Sequence, residues 1–300
     1  MRISFDETRN NKLRSWFLMF FFIILIGFLG AAIGITMNSL FFGLFLAVFV
    51  GIIYSMIGFF SGGNMILSMS GAKAVSKQEY PHLWHAIEGL SLAAGIPKPK
   101  AYVINDSALN AFATGRDPKH AAITVTTGLL EKLNREELEG VLAHEMSHIR
   151  NYDIRFMMLT AVLVGIVTLL SDFLLRSFLW GGARRRSNDS GNQVGIIMIV
   201  LGLVLAILTP IIGQIIKLAI SRKREYMADS SAVTLTRYPL GLANALDKIR
   251  ADPDPLVDKA NKATAHLFIS TPFRKKKGLM TRLFATHPPI EERIKRLKEM

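Results

Sequence analysis

The segment LAHEMSHIRNYD (residues 142–153) sets His144 and His148 four residues apart, with Glu145 beside the first. Residues i and i+4 share one face of a helix, so two imidazole nitrogens there can point at a common spot, as tetrahedral Zn2+ requires. Glu145 falls next to that spot without occupying it, where a carboxylate can act as general base for a metal-activated water. A catalytic zinc also needs a third protein ligand and an open position. The chain has no cysteine, so the third ligand must be His, Asp or Glu. The H-x-x-G-x-x-H extension fails, because Asn151 stands where glycine would be and residue 154 is isoleucine. The best source of a carboxylate is SRKREYMADSSA (residues 221–232), where Glu225 and Asp229 lie one helical turn apart. Glu225 can bind metal while Asp229 buttresses a ligand histidine through a hydrogen bond. Taken alone, this segment also reads as a solvated, salt-bridged helix.

The elements that must position these groups start with the helix itself. In LNREELEGVLAHEMSHIRN, Asn134 with Glu137 three residues later has the form of a capping box, and acidic residues crowd the first turn. Leu138, Val141, Leu142 and Met146 form an apolar stripe at helical spacing. No Gly or Pro interrupts the stretch from Ile149 to Phe156, so the helix is expected to run on into the apolar segment that follows. Upstream, EYPHLWHAIEGLSLAAGI reads as a helix with a proline in its opening turn and Gly95 near its end. KAYVIN, NAFATG and AAITVT are short β-prone runs between Asp, Gly and Pro breakers, which predicts a small antiparallel sheet. NAFATG reads either as an exposed strand pairing with a substrate backbone, with Asn110, Ala111 and Phe112 lining the cleft, or as a plain core strand.

Half of the 300 residues are hydrophobic, and the mean hydropathy is +0.32, which places the chain among membrane proteins. Four runs, 16–37, 40–60, 156–175 and 194–220, are long enough to cross a hydrocarbon core of about 30 Å. The first is about twice the length of a signal-peptide core and reads as a retained anchor. Arg2, Arg9, Lys12 and Arg14 ahead of it favour the cytoplasmic side, so residues 61–154 are predicted to be cytoplasmic. An even number of spans returns the C-terminus to that side, although Arg184, Arg185 and Arg186 between the third and fourth spans and Asp172 inside the third run against it. The predicted organisation is a hairpin anchor (1–60), a catalytic segment (61–154), a second hairpin (155–220) and a second catalytic segment (221–300). His148 lies 7 residues before Arg155 and Glu225 lies 5 past Ile220, so both would stand on the order of 10 Å above one membrane face. A net charge of +13 suits a surface apposed to anionic lipid, with FRKKKG (residues 273–278) as a headgroup contact. The charge lies beside spans and no nucleic-acid module is recognised, which argues against a nucleic-acid partner.

HEMSHIRNYD, SRKREYMADSSA, NAFATG and FATHPPIEERI together closely resemble the HtpX-type heat-shock membrane zinc proteases, relatives of the CAAX prenyl endopeptidases. The resemblance covers nearly the whole chain. It implies four transmembrane helices in two hairpins plus a cytoplasmic zincin-like α+β catalytic domain. It further implies an endopeptidase in the cell membrane that acts on misfolded or damaged membrane proteins. The family pattern falls on His144, His148 and Glu225 as ligands of one zinc per chain, on Glu145 as base and on Asp229 as support. Asn151 and Asp153 match the motif after His148 and are expected to pack around the ligands. THPPIEERI resembles the family's final motif; His287 or Arg293 can hold the transition-state oxyanion, or His287 can cap a resting zinc. His82, His85, His120 and His266 have no ligand-like partner nearby and read as structural or surface residues. Two other functions fit the same residues: prenyl-peptide processing, and a non-catalytic membrane adaptor whose structural zinc is closed by His287. An intramembrane protease is disfavoured because polar EKLNREELEG precedes the motif.

Overall fold

The computed structural model describes residues 2–36, 38–163, 165, 222–252, 267–269 and 288–300. The chain opens with α1 (Arg2–Thr36) and α2 (Leu40–Met69), reversing at Asn38, whose φ is 54°. The two backbones touch: a Cβ on Gly43 would come within 2.5 Å of the Gly30 carbonyl oxygen, so only glycine permits the approach. Phe41, Phe45, Phe49, Ile53, Met56 and Phe60 line the outer face of α2 and are exposed. That face extends about 30 Å at 1.5 Å per residue, the thickness of a hydrocarbon core. Both helices are long and apolar enough to cross a membrane, over Glu7–Phe28 and Leu40–Met69, and these stretches overlap the first two expected spans. The polar residues ahead of the first span are helical too, which puts Asn11 and Ser15 on a buried face of α1. The third expected span is helical as far as it is described. Its remainder, the fourth span, Asp172, Arg184 to Arg186, His266, FRKKKG and His287 lie outside the described residues.

The sheet follows, with α3 (Pro81–Ala94) after its first strand and Gly95 in the left-handed conformation as that helix's cap. Strands β1 (Lys73–Ala74), β2 (Lys100–Ile104), β3 (Ala111–Gly115) and β4 (Ala121–Thr126) lie in the order β1-β2-β4-β3. The sheet is mixed, which corrects the antiparallel expectation. β4 inserts between β2 and β3, antiparallel to β3 and parallel to β2. Two reversals separate β2 from β4, so they run the same way. Short helix α4 (Thr127–Lys132) leads into α5 (Arg135–Arg150), where the Asn134–Glu137 capping box forms in both directions. Val141, Leu142 and Met146 are completely buried. Helices α7 (Arg222–Thr236) and α8 (Pro239–Ala251) pack on α5, as do α3 and β3, and α9 (Ile290–Lys298) packs on α8 and α7. The HExxH helix is thus the central post of the domain.

The expected continuous helix is broken. α5 ends at Arg150, Tyr152 adopts φ 61°, and a new helix, α6 (153–163), begins at Asp153. On an unbroken helix, side chains five apart diverge by about 140°. The left-handed residue instead folds Asp153 back, where its Oδ2 lies 3.0 Å from His148 Nδ1.

Gly140 of α5 lies against the backbone of α8, where a Cβ would come within 2.6 Å of Leu242 N. Gly140→Ala should therefore lower the thermal unfolding temperature of the detergent-solubilised protein, at a cost of about 1–3 kcal/mol. Gly89→Ala, with nothing within 4 Å of its new Cβ, should be neutral or stabilising by about 0.5–1 kcal/mol. Equal effects from the two variants would contradict this packing.

Candidate metal centre

Helix α5 delivers both histidines to one spot, and α7 delivers Glu225. The Nε2 atoms of His144 and His148 are 3.2 Å apart. Glu225 completes a triangle, with Oε2 3.7 Å from His144 Nε2 and Oε1 3.6 Å from His148 Nε2. Tetrahedral bonds of about 2.0–2.1 Å place ligand atoms about 3.3–3.4 Å apart, so these groups fit a tetrahedral ion after small adjustments. Among the described residues, no other group of three His, Asp or Glu side chains converges in this way.

The far side of each ring is held by a carboxylate. His144 Nδ1 lies 3.0 Å from Asp229 Oδ1, and His148 Nδ1 lies 3.0 Å from Asp153 Oδ2. A carboxylate at Nδ1 fixes the proton there and turns the Nε2 lone pair toward the ion. Each carboxylate is then clamped in turn. Arg293 of α9 donates from Nε to Asp229 Oδ2 at 2.9 Å and from Nη2 to Oδ1 at 2.7 Å, a two-bonded fork. Asn11 of α1 donates from Nδ2 to Asp153 Oδ1 at 2.6 Å and to the Asn151 carbonyl at 3.0 Å. Its own Oδ1 accepts from Arg224 Nη1 at 3.2 Å, and Arg224 Nε lies 3.6 Å from Asp153 Oδ1.

The site is buried, with His144, Glu145, Glu225 and Asp229 no more than 3% exposed and His148 5%. Burial opposes charge on both rings. It holds His144 down, with Arg293 adding to the effect, but at His148 the Asp153 hydrogen bond and the Glu225 charge win and push the imidazole up to about 9. The His148 side of the spot therefore favours positive charge. Burial would also lift Asp229, yet the Arg293 fork holds it down to about 2. Carboxyl groups (Glu145, Asp153, Glu225, Asp229) outnumber the guanidiniums of Arg224 and Arg293 in contact with them around the rings, which suits a cation there. Glu145 stands beside the triangle, accepts a hydrogen bond from the Ala113 N–H, and is pushed up to about 7 by burial, with Glu225 adding to it.

Asp229 and Asp153 touch the imidazoles, and Asn151 caps α5. Arg293 is 1% exposed and spends Nε and Nη2 on Asp229, while its Nη1 lies 3.6 Å from Glu225 Oε2. Asn110, Ala111 and Phe112 are buried at and just before the edge strand β3. The Ala111 carbonyl accepts from Ile269 N–H at 2.9 Å, and Phe112 packs edge-on against Phe268 at 5.0 Å between centroids. His82, His85 and His120 are exposed. Two residues escaped sequence reasoning. Arg224 was hidden in a basic flank, and Asn11 sits in TRNNKLR, where a polar side chain beside a membrane span carries no signal of a partner 142 positions away.

Asn11→Ala removes the clamp on Asp153 from outside the motif. Metal affinity, read as retention against a graded chelator, should fall about 10–100-fold. Retention equal to that of the unsubstituted chain would show that α1 does not brace the centre.

Comparisons with known proteins agree with this geometry. The model of Peptidase family M48 matches residues 77–300. The protease HtpX homolog of Ligilactobacillus salivarius is 43% identical over 297 residues, 99% of each chain. That of Caldanaerobacter subterraneus subsp. tengcongensis is 50% identical over 257 residues, 86% of this chain and 84% of the relative. The crystal structure of S. mikatae Ste24p shares the fold at a TM-score of 0.51 and 21% identity, covering 84% of this chain but only 57% of that one. Family match, full-length relatives and a His-His-Glu triangle beside a buried glutamate converge: the chain belongs to peptidase family M48, among the metalloproteases of HtpX type.

Proposed function

We propose that the chain is a zinc endopeptidase of the cell membrane, anchored by four transmembrane helices with its catalytic domain facing the cytoplasm, and that it degrades misfolded or damaged membrane proteins. The observation that carries this reading is the triangle of two Nε2 atoms and one carboxylate, 3.2 to 3.7 Å on a side, with Glu145 next to it. Two imidazoles and a carboxylate at tetrahedral spacing suit zinc and leave one position open. When bound, zinc acidifies water and polarises a scissile carbonyl.

The chain's own groups do the rest. Glu145, buried beside the triangle, takes the water's proton on its Oε and returns it to the departing amine nitrogen. His144 and His148 hold their positions through Asp229 and Asp153, and Arg293 keeps Asp229 in line. His287, which the motif sets six residues before Arg293, supplies a donor to the transition-state oxyanion. A substrate backbone takes the outer edge of β3 in place of Ile269, and main-chain pairing there makes binding tolerant of sequence.

Glu145→Gln keeps the shape and loses the proton acceptor. The purified variant should retain zinc and lose at least about 100-fold in casein cleavage, the scale of general-base catalysis. Undiminished cleavage, in preparations free of other proteases, would remove Glu145 from the mechanism. A farnesylated CAAX peptide cut faster than its unprenylated control would move the substrate class to prenyl peptides.

A further inference from the structure

A second built feature lies away from the metal centre, where β2 and β4 begin and β3 ends. A cavity of about 160 Å³ opens there between the sheet and the far end of the apolar face of α2. Its walls include Phe60, Asn64, Thr114 and the side chains of Lys100, Arg116 and Lys119. None of the residues lining it is acidic, and the neighbouring Asp117 is engaged by His120 at 2.7 Å and by Arg116 at 3.5 Å. Lys100 and Lys119 have no carboxylate partner among the described residues. The Thr114 hydroxyl is 1% exposed and finds no hydrogen-bond partner among the described residues. A buried hydroxyl without a partner is uncommon and points to a polar occupant.

The cavity's height in the molecule says which occupant. The run of exposed bulky apolar residues on α2 reaches Phe60, and beyond it the exposed positions are Ser61, Asn64, Ser68 and, at the helix end, Met69. Trp16 stacks on Phe59 at 5.9 Å and is 59% exposed, the placement of an aromatic at a membrane–water boundary. Arg116 lies over the Phe60 ring at 5.0 Å and Arg155 over Phe59 at 5.3 Å. Cations, aromatic rings and the end of a lipid-length apolar face therefore coincide at one level.

We infer that this cavity binds the phosphate of an anionic phospholipid headgroup, with Lys100, Arg116 and Lys119 as its cations and Thr114 as a hydroxyl donor. The acyl chains then run down the Phe60 face of α2. A soluble anion would not need the apolar wall, and a zwitterionic lipid would bring its own cation to an already basic pocket. The inference rests on α1 and α2 crossing the bilayer.

The test uses the full chain and a Lys100→Gln/Lys119→Gln double variant, both substitutions at exposed positions. Each is reconstituted into nanodiscs of phosphatidylcholine with or without phosphatidylglycerol, and retained lipid is counted by native mass spectrometry. The unsubstituted chain should retain phosphatidylglycerol over phosphatidylcholine, and the double variant should lose about 25-fold of that preference, about fivefold per lysine, with metal content unchanged. No preference in the unsubstituted chain, or full preference in the double variant, overturns the assignment. Displacement of the lipid by inorganic phosphate alone also overturns it in favour of a soluble anion. Failure of the chain to enter nanodiscs at all would sink the membrane reading itself, which separates the two failures.

Discussion

The hydrogen bonds on the far sides of the two rings, Asp229 to His144 Nδ1 and Asp153 to His148 Nδ1, decide what the centre presents to an ion. A neutral imidazole can carry its proton on either nitrogen, and only the Nδ1 tautomer leaves a lone pair on Nε2. Losing either carboxylate frees the ring to turn and lets the proton move to the metal-facing nitrogen. Neither carboxylate stands alone. Asp229 is gripped by Arg293 from α9, and Asp153 by Asn11 from α1 and Arg224 from α7. The centre therefore draws on α1, the HExxH helix and its sequel, the Glu225 helix and the last described helix. The break at Tyr152 belongs to the same arrangement, because it returns Asp153 to His148.

Concentrating so many charges at nearly zero exposure is costly unless they are paired. The pairing is close, and carboxyl groups outnumber the guanidiniums around the triangle, which suits a cation there. This explains why His148 is pushed up to about 9 although burial works against it. The same burial lifts the Glu145 carboxyl to about 7. One physical setting thus favours a cation at the triangle and lifts the carboxyl beside it. Segment 267–269 closes the setting, with Ile269 on the β3 edge and Phe268 against Phe112.

Much of this was legible in the sequence wherever the signal is local. His144, Glu145 and His148 announce themselves by helical spacing, the Asn134–Glu137 capping box by its own pattern, and α1 and α2 by apolar length. Glu225 and Asp229 were candidates by the lack of cysteine and one-turn spacing, and were singled out by their position next to an apolar run and by the family resemblance. What escaped depends on distant partners. Asn11 has no local reason to be buried. The parallel pairing of β2 with β4 is a property of strand order, not of strand composition. The break after Arg150 involves neither Gly nor Pro, and Tyr152 is held at a positive φ by the contacts of Asp153. Burial of NAFATG likewise comes from residues more than 150 positions along the chain.

X-ray absorption at the zinc edge of the purified, metal-loaded chain addresses the central claim most directly. The account predicts a four-coordinate ion with two imidazole nitrogens at about 2.0–2.1 Å and carboxylate oxygen at about 2.0–2.2 Å. Glu225→Gln should reduce metal occupancy while the scattering of any remaining ion keeps both imidazoles. A spectrum without paired imidazole scattering, or a six-coordinate all-oxygen shell, would contradict a centre built on His144, His148 and Glu225.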